Sequence, residues 1–474
     1  MIDPGFWRGK RVFLTGHTGF KGAWASLLLA RLGARVTGYS LAPETSPNLF
    51  ELTGAEHALE RHVLADIRDG AALDRAMREA APDIVIHMAA QSLVRRSYRA
   101  PVETHAVNVM GTIHVLEAIR ATPSVRAAVI VTTDKVYDLS AGTTPRRESD
   151  PMGGHDPYSA SKAAAEIVTA SYRHSFFSAA QGGHAARIAT VRSGNVIGGG
   201  DWSPDRIVTD IVTALPAGAT VALRYPESVR PWLFVLDTLT GYLALAERLA
   251  GAGDAFAESW NFGPPPGDDT RVRDLADMFA QEWGVSQAWR PAAGTHPPEA
   301  PLLRLDPAKA MRRLGWRPSL AIRDAIRETA AWYHAQRDGR ADAASLCDAA
   351  ISRHLARDLV ARDLHRIAPG LAAAHGALLD RQARERKLAN LGALVEHDVA
   401  DLVAAPDLPV GACTRGHDMG DMALALFGFV ARSAFEIDRK RKAIEIGFVD
   451  DVAISADRIS ERDLGLFGRR LIRD

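Results

Sequence analysis

Apolar and polar positions follow two alternating periods along the first 195 residues. Short β-branched and aromatic runs predict strands at 11–15 ("RVFLT"), 34–41 ("ARVTGYSL"), 61–69 ("RHVLADIRD"), 82–94 ("PDIVIHMAAQSLV"), 126–138 ("RAAVIVTTDKVYD") and 186–197 ("ARIATVRSGNVI"). Longer stretches with helical spacing lie between them, at 23–34, 103–121 and 155–176. The run at 82–94 is apolar throughout, as a parallel strand covered on both faces must be. Strand and helix in strict alternation predict an α/β domain with a doubly wound parallel sheet.

The period loosens from about residue 195. Short elements mix with loops up to the amphipathic helix expected at 322–338, and a smaller α/β substrate lobe is predicted. Gly198, Gly199 and Gly200 read as a flexible entry to that lobe. Beyond 340 the chain turns Ala-, Leu-, Arg- and Asp-rich with helical spacing, which predicts an α-helical C-terminal appendage. Its apolar stretch 422–435, "MALALFGFVARSAF", must find a covering surface. The expected domains are therefore 1–194, 195–339 and 340–474, with later segments returning to the first.

Composition narrows the class. Lys plus Arg and Asp plus Glu are both 57 in 474 residues, so no global basic field points to nucleic acid or an anionic membrane. No apolar run of about 18 residues suggests a membrane span. The two cysteines, Cys347 and Cys413, exclude a disulfide scaffold and fit a cytoplasmic protein. The histidines after 350, His354, His365, His375, His397 and His417, match no metal spacing, and no metal site is expected. The cluster Arg439–Lys442 reads as a solvated helix face.

Candidate chemistry sits at strand ends and on one helix. After the first strand, Gly16, Gly19 and Gly22 are three apart and open a helix, a dinucleotide-binding opening. Gly16 permits the turn, Gly19 lets backbone approach a pyrophosphate, and Gly22 allows close packing, while the helix N-terminus faces the phosphates. Thr18, Phe20 and Lys21 belong to the same turn. The second strand ends at Ser40, where a carboxylate commonly holds a ribose hydroxyl; from this position NAD and NADP both remain open. Asp66 and Ile67 end the third strand, and Asp66 is a candidate acceptor for an adenine amino group. Ala89 and Ala90 leave room beside a cofactor, with Gln91 next to them. Thr132, Thr133, Asp134 and Lys135 leave the fifth strand, at the edge where open α/β sheets bind ligands. Tyr158 and Lys162 are i and i+4 on a helix that can start at Pro157. An ammonium beside the phenol would pull the phenol below its free value, so that it can take a proton from a sugar hydroxyl. Arg230 and Trp232 are candidates to hold a phosphate and a base.

Taken in order, Gly16-x-x-Gly19-x-x-Gly22, Asp66–Ile67, Thr132–Lys135 and Tyr158-x-x-x-Lys162 resemble the extended short-chain dehydrogenase/reductase superfamily, with its Rossmann fold. "LTGHTGFKGAW", "TTDKVYD", "SGNVIGGGDW", "RPW" and "APLLRLDPAKA" resemble, within it, the branch of 4,6-dehydratases acting on CDP-glucose. The likeness covers about residues 5–337 and leaves the tail unassigned. It implies a redox-neutral lyase reaction with NAD, in deoxysugar and lipopolysaccharide biosynthesis. Tyr158 would be the base at sugar carbon 4, assisted by Lys162 and Thr133. Asp134 would protonate the leaving hydroxyl and Lys135 would take the carbon-5 proton. Gln91, Asn195, Arg230 and Trp232 would contact substrate. A homo-oligomer is expected, and a tail that binds a protein partner. Leu233, Phe234 and Ser193 depart from the branch's pattern, the first two where nucleotide contacts are expected. The competing expectations are a nucleotide-sugar 4-epimerase or decarboxylase on the same scaffold, and a non-catalytic NAD-binding scaffold.

Overall fold

The structure is a computed structural model and describes residues 2–138, 142–178, 182–294 and 300–374. Two compact units divide the chain at Leu371, and the sheet and the cavity below both belong to the first.

Eleven strands are present among the described residues: β1 (Arg11–Thr15), β2 (Arg35–Ser40), β3 (Arg61–Leu64), β4 (Ile84–His87), β5 (Ala127–Val131), β6 (Arg187–Ser193), β7 (Asn195–Ile197), β8 (Val221–Leu223), β9 (Trp232–Phe234), β10 (Ser259–Phe262) and β11 (Trp289–Pro291). Seven of them form one sheet in the order β3-β2-β1-β4-β5-β6-β10, every pair parallel. The order reverses between β1 and β4, so the C-terminal ends of those strands splay apart into a crevice. Side chains leave alternate faces of each strand. Val12, Leu14, Ile84, Ile86 and Val129 enter one core, while Phe13, Val85, Ala128 and Ile130 enter the other. A sheet buried on both faces explains the continuously apolar runs.

The six predicted strands are all present. The seventh, β10, comes from far along the chain, its Trp260 and Phe262 wholly buried. The helix Val235–Ala252 that precedes it is packed into the same core through Leu236, Leu239, Tyr242 and Leu243. The lobe beyond β6 is built on two small parallel pairs, β7 with β9 and β8 with β11.

Two expectations are corrected here. Gly198–Gly200 is a packing site, not a flexible entry. A Cβ on Gly199 would overlap the Trp332 ring and one on Gly198 would strike Val235, while the Gly199 carbonyl accepts from Trp24 Nε1 at 3.0 Å. The boundary expected near 340 does not mark the edge of the packed body. The helix Ala343–Ala374 places Ala343, Cys347, Ala350 and Ile351 in the larger core. Its Asp348 pairs with Arg31 of the first long helix, and its Arg353 and Arg357 pair with Glu328. The backbone of Ile2 donates to Asp358 at 3.2 Å, so the chain's beginning is tied to the same helix. His354, read as one of several scattered histidines, is buried between Thr240 and Ser319. The apolar stretch 422–435, the basic cluster 439–442, Cys413, His375, His397 and His417 lie outside the described residues.

Candidate active site

A cavity of about 1070 Å³ opens above the C-terminal ends of the central strands. The glycine turn forms one wall. Gly16 adopts φ +77°, and a Cβ there would come within 2.7 Å of Ala89 N, so only glycine lets the turn pass this close to the end of β4. A Cβ on Gly22 would overlap Gly16 O; the closeness is between helix and turn, slightly different from the helix–strand packing expected. Gly19 is different in kind. A Cβ there would meet only Gly16 O, at 3.5 Å, so its freedom from a side chain serves the cavity and not the packing. The helix Phe20–Arg31 begins at Gly19 without a side-chain cap, leaving first-turn N–H groups to a ligand.

Thr18, Phe20, Lys21, Ser40, Asp66 and Ile67 continue this wall. The Thr18 hydroxyl donates to Leu41 O at 2.8 Å, so the Ser40 hydroxyl, 2.9 Å away, must donate to Thr18. Ser40 then presents an acceptor, which suits a ribose hydroxyl and offers nothing to a phosphate. Asp66 is held by Arg68, whose Nε donates at 2.8 Å, and its carboxyl stays below the usual range through that bond. Ala89 and Ala90 line the cavity as expected. A cradle of small residues, uncapped N–H groups and a ribose acceptor fits a dinucleotide such as NAD.

Further residues of the lining carry the chemistry. The helix Pro157–Phe176 starts where proline allows, and Asp156 caps it by accepting from Ser159 N at 2.9 Å, worth about 1 kcal/mol. Tyr158, Lys162, Thr133 and Lys135 line the cavity together. The expected depression of the phenol is not found. Burial pushes Tyr158 up to about 12, against the pull of the Thr133 hydroxyl and the Arg206 charge. Lys162 donates to Val131 O at 3.0 Å and is itself lowered to about 7 by burial and by Lys21, with Glu166 opposing.

Asp134 is 0 % exposed and stands behind the wall. Its Oδ1 accepts from Thr133 Oγ1 at 2.9 Å and lies 3.5 Å from Lys135 Nζ; its Oδ2 is buried without a partner among the described residues. Direct contact between Asp134 and a leaving hydroxyl is therefore not what this geometry holds. Lys135, about a third exposed at 30 %, is the member of the pair that meets the cavity.

Among the expected substrate contacts, Asn195 lines the cavity with a buried Oδ1 that has no partner among the described residues. Arg230 and Trp232 also line it, and both are anchored, Arg230 to the carbonyls of Val229 and Ala300 and Trp232 to that of Thr270. Gln91 is corrected. Its amide donates to Leu93 O and Thr104 Oγ1 and accepts from Leu93 N, so it braces a turn and has little left for substrate. Leu233 and Phe234 are buried in the larger core, so their departure from pattern does not touch the cavity. Ser193 bonds the Tyr242 hydroxyl at 2.7 Å.

Some functional residues escape a reading of the sequence. Arg206 and Arg224 line the cavity, and the Arg206 charge acts on both Tyr158 and Lys21. Arg206 follows "GGGDW" by four residues, and that proximity is the signal that could find it. Asn108, expected only as part of a helix, braces the site by donating to Gln91 O at 3.0 Å and Ser161 Oγ at 2.9 Å, from a π-helical turn, Ala106–Met110.

Comparison with known proteins agrees with this geometry. The family model described as GDP-mannose 4,6 dehydratase matches residues 13–257. A CDP-glucose 4,6-dehydratase from Salmonella typhimurium is 46% identical over 336 residues, 71% of this chain and 93% of the relative. A dTDP-glucose 4,6-dehydratase from Streptomyces antibioticus is 32% identical, over 59% of this chain and 77% of its own. Among solved structures, the dTDP-glucose 4,6-dehydratase of Streptomyces venezuelae with NAD bound superposes with TM-score 0.58 at 28% identity, covering 69% of this chain and 98% of the other. The UDP-glucose 4-epimerase of Thermus thermophilus in complex with NAD gives TM-score 0.58 at 26% identity, over 68% and 99%. With more than half of its length matched by that family model, and 93% of a relative aligned to it at 46% identity, the chain belongs to the GDP-mannose 4,6 dehydratase family.

Proposed function

We propose that the protein is an NAD-dependent lyase that dehydrates CDP-glucose to CDP-4-dehydro-6-deoxyglucose. The observation that carries this reading is Lys135, backed by Asp134 at 3.5 Å, on the same cavity as Tyr158 and Lys162. A 4-epimerase has no leaving hydroxyl to protonate and no use for such a pair. The 46% identity to a CDP-glucose 4,6-dehydratase supports the same choice of nucleotide.

The glycine turn, Ser40, Asp66, Ala89 and Ala90 would hold NAD. When bound, NAD would supply the hydride acceptor for carbon 4 and the hydride donor for carbon 6. Tyr158 accepts the proton of the carbon-4 hydroxyl, with Thr133 hydrogen-bonded beside it. The ketone acidifies the carbon-5 proton, which Lys135, the member of the Asp134–Lys135 pair that meets the cavity, removes as the free amine. The carbon-6 hydroxyl takes a proton from the same pair and departs as water. Asp134 stands behind Lys135, 3.5 Å from its Nζ, and holds that group in place. Tyr158 starts high, at about 12, so it needs a positive charge drawn near before it can act as base; the Arg206 charge pulls it in that direction, and Lys162 and Lys21 line the same cavity.

In this reading residues 1–194, with the returning helix and β10, hold the cofactor, and 195–339 supply the substrate lobe. A homo-oligomer is supported by exposed apolar residues on neighbouring helices, Val102 at 83% and Ile167 at 59%. The reading includes a cytoplasmic location, supported by a composition with only two cysteines. Among the described residues no helix is long and apolar enough to cross a membrane.

The test is to incubate purified protein with CDP-, dTDP- and GDP-sugars and scan for the alkaline ultraviolet absorbance of a 4-keto sugar. A 4-keto product from the CDP-sugar alone supports the proposal. An epimer without loss of water, or no conversion of any sugar, overturns it in favour of an epimerase or a non-catalytic scaffold.

A further inference from the structure

Glu166 lies one helical turn beyond Lys162, and no step of the reaction above uses it. It is 2 % exposed and receives five hydrogen bonds. Its Oε1 accepts from Thr132 Oγ1 at 2.6 Å and Arg192 Nε at 2.8 Å. Its Oε2 accepts from Thr190 Oγ1 at 2.6 Å, Arg192 Nη2 at 3.0 Å and Ser259 Oγ at 3.2 Å. Arg192 in turn donates to the Tyr137 hydroxyl at 2.8 Å, and Tyr137 to Asn261 at 2.6 Å.

The register of these contacts is informative. Lys162 holds the carbonyl of Val131, and Glu166 holds the side chain of Thr132, the next residue. Two side chains on one face of one helix thus grip consecutive residues at the end of β5. The residues that follow are Thr133, Asp134 and Lys135. We propose that Glu166 is a positioning residue for the dehydratase reaction: with Lys162 it forms a two-point clasp that sets the Tyr158 helix against the strand end carrying Thr133, Asp134 and Lys135. The proposal rests on the dehydratase reading of the same site.

Carboxylate chemistry suits the task. Five donors converge on Glu166, two of them from one buried guanidinium, and only an ionised acid satisfies them all without leaving an unpaired charge. The demand on position is severe, because a misplacement of about 1 Å can cost about 100-fold in rate. A single contact would let the helix pivot about Lys162; a second, one turn away, removes that freedom. Glu166 also sets the charge around the amine. Lys162 faces Lys21 from the glycine-turn helix, His87 from β4 and Glu166 on its own helix, and Arg192 on β6 faces Glu166.

The test uses the full chain with NAD. Thr132→Val removes one grip and keeps the ion pair, while Thr132→Ser keeps the hydroxyl. Thr132→Val is expected to lower kcat on CDP-glucose about 10- to 100-fold with KM within about threefold, and Thr132→Ser to stay within about threefold of wild type. Glu166→Gln is expected to move the midpoint for acylation of Lys162, followed against pH by peptide mass spectrometry, to lower pH by about one unit. Equal kcat values for the two Thr132 variants, or an unmoved Lys162 midpoint in Glu166→Gln, overturn the clasp. Should Glu166→Gln not fold, the Thr132 pair decides alone. A wild-type protein that converts no nucleotide sugar sinks the dehydratase reading instead, and the Lys162 midpoint in Glu166→Gln still decides whether Glu166 acts on the Lys162 amine.

Discussion

The Lys162 ammonium donates to the Val131 carbonyl at 3.0 Å, inside a site where Lys21 repels it. Burial brings its pKa down from 10.5 to about 7, so the folded protein sheds this proton well before the unfolded chain does. Between those two values the unfolded state binds more protons, and stability climbs with pH. Below about 7 both states are protonated and the full cost of the buried charge remains. The melting temperature of wild type, relative to Lys162→Met, is therefore expected to rise as pH goes from about 7 toward 10, read by calorimetry. A difference that stays flat with pH, or falls, contradicts the lowered value.

Tyr158→Phe is expected to lose about 100- to 10,000-fold in kcat while KM for CDP-glucose changes little. Tyr158 is 7 % exposed and its ring packs whether or not the hydroxyl is present. Steady-state kinetics of product formation check this; activity within about threefold of wild type would place the base elsewhere.

Two glycines one helical turn apart are expected to fail in different ways. Gly22→Ala collides with Gly16 O and should lower the melting temperature by several degrees. Gly19→Ala meets only an ordinary contact at 3.5 Å, so its melting temperature without cofactor should match wild type while NAD affinity drops. Thermal melts with and without NAD separate the two effects.

The acceptor left on Ser40 leads to a cofactor prediction. Nucleotide released from purified protein by denaturation is expected to be NAD, with added NADP binding at least about tenfold more weakly, a difference of about 1.4 kcal/mol. Chromatography of the released nucleotide is the measurement, and a preparation rich in NADP refutes the assignment of Ser40.

A chain cut after Arg337 is expected to be unstable, whereas one cut after Ala374 should keep NAD binding and turnover. The shorter chain loses Cys347 and Ile351 from the core, about 1.5–3 kcal/mol for an Ile-sized side chain, out of a total of about 5–15. It also strips Glu328 of Arg353 and Arg357. Comparing soluble yield, melting temperature and turnover of the two chains tests this.

What can be read from the sequence is what local pattern encodes. The glycine turn, the Tyr158–Lys162 spacing and six strands each depend on residues within about 20 positions of one another. What escapes depends on distance along the chain. Nothing near Ser259 announces that its strand will lie beside β6, and nothing near Glu166 announces Arg192, Thr132 and Ser259 as its donors. The Tyr158 pKa departs from expectation for a related reason: spacing on a helix shows that two side chains share a face, but not how deeply that face is buried or that Lys162 finds a carbonyl first. Gly198–Gly200 reads as loose because the rings of Trp332 and Trp24 that fill the space around it come from remote segments.

The tie between the first residues and the helix Ala343–Ala374 has a consequence for how the protein is made. Ile2 and Asp358 are separated by 356 residues, and the first long helix waits for Asp348 to pair Arg31. At about 5–20 residues per second, a ribosome needs roughly 20–70 s to supply the later partner. Throughout that interval Arg31, at the end of the helix that carries the cofactor turn, has no Asp348 to pair with, and the Ile2 amide has no Asp358 to donate to.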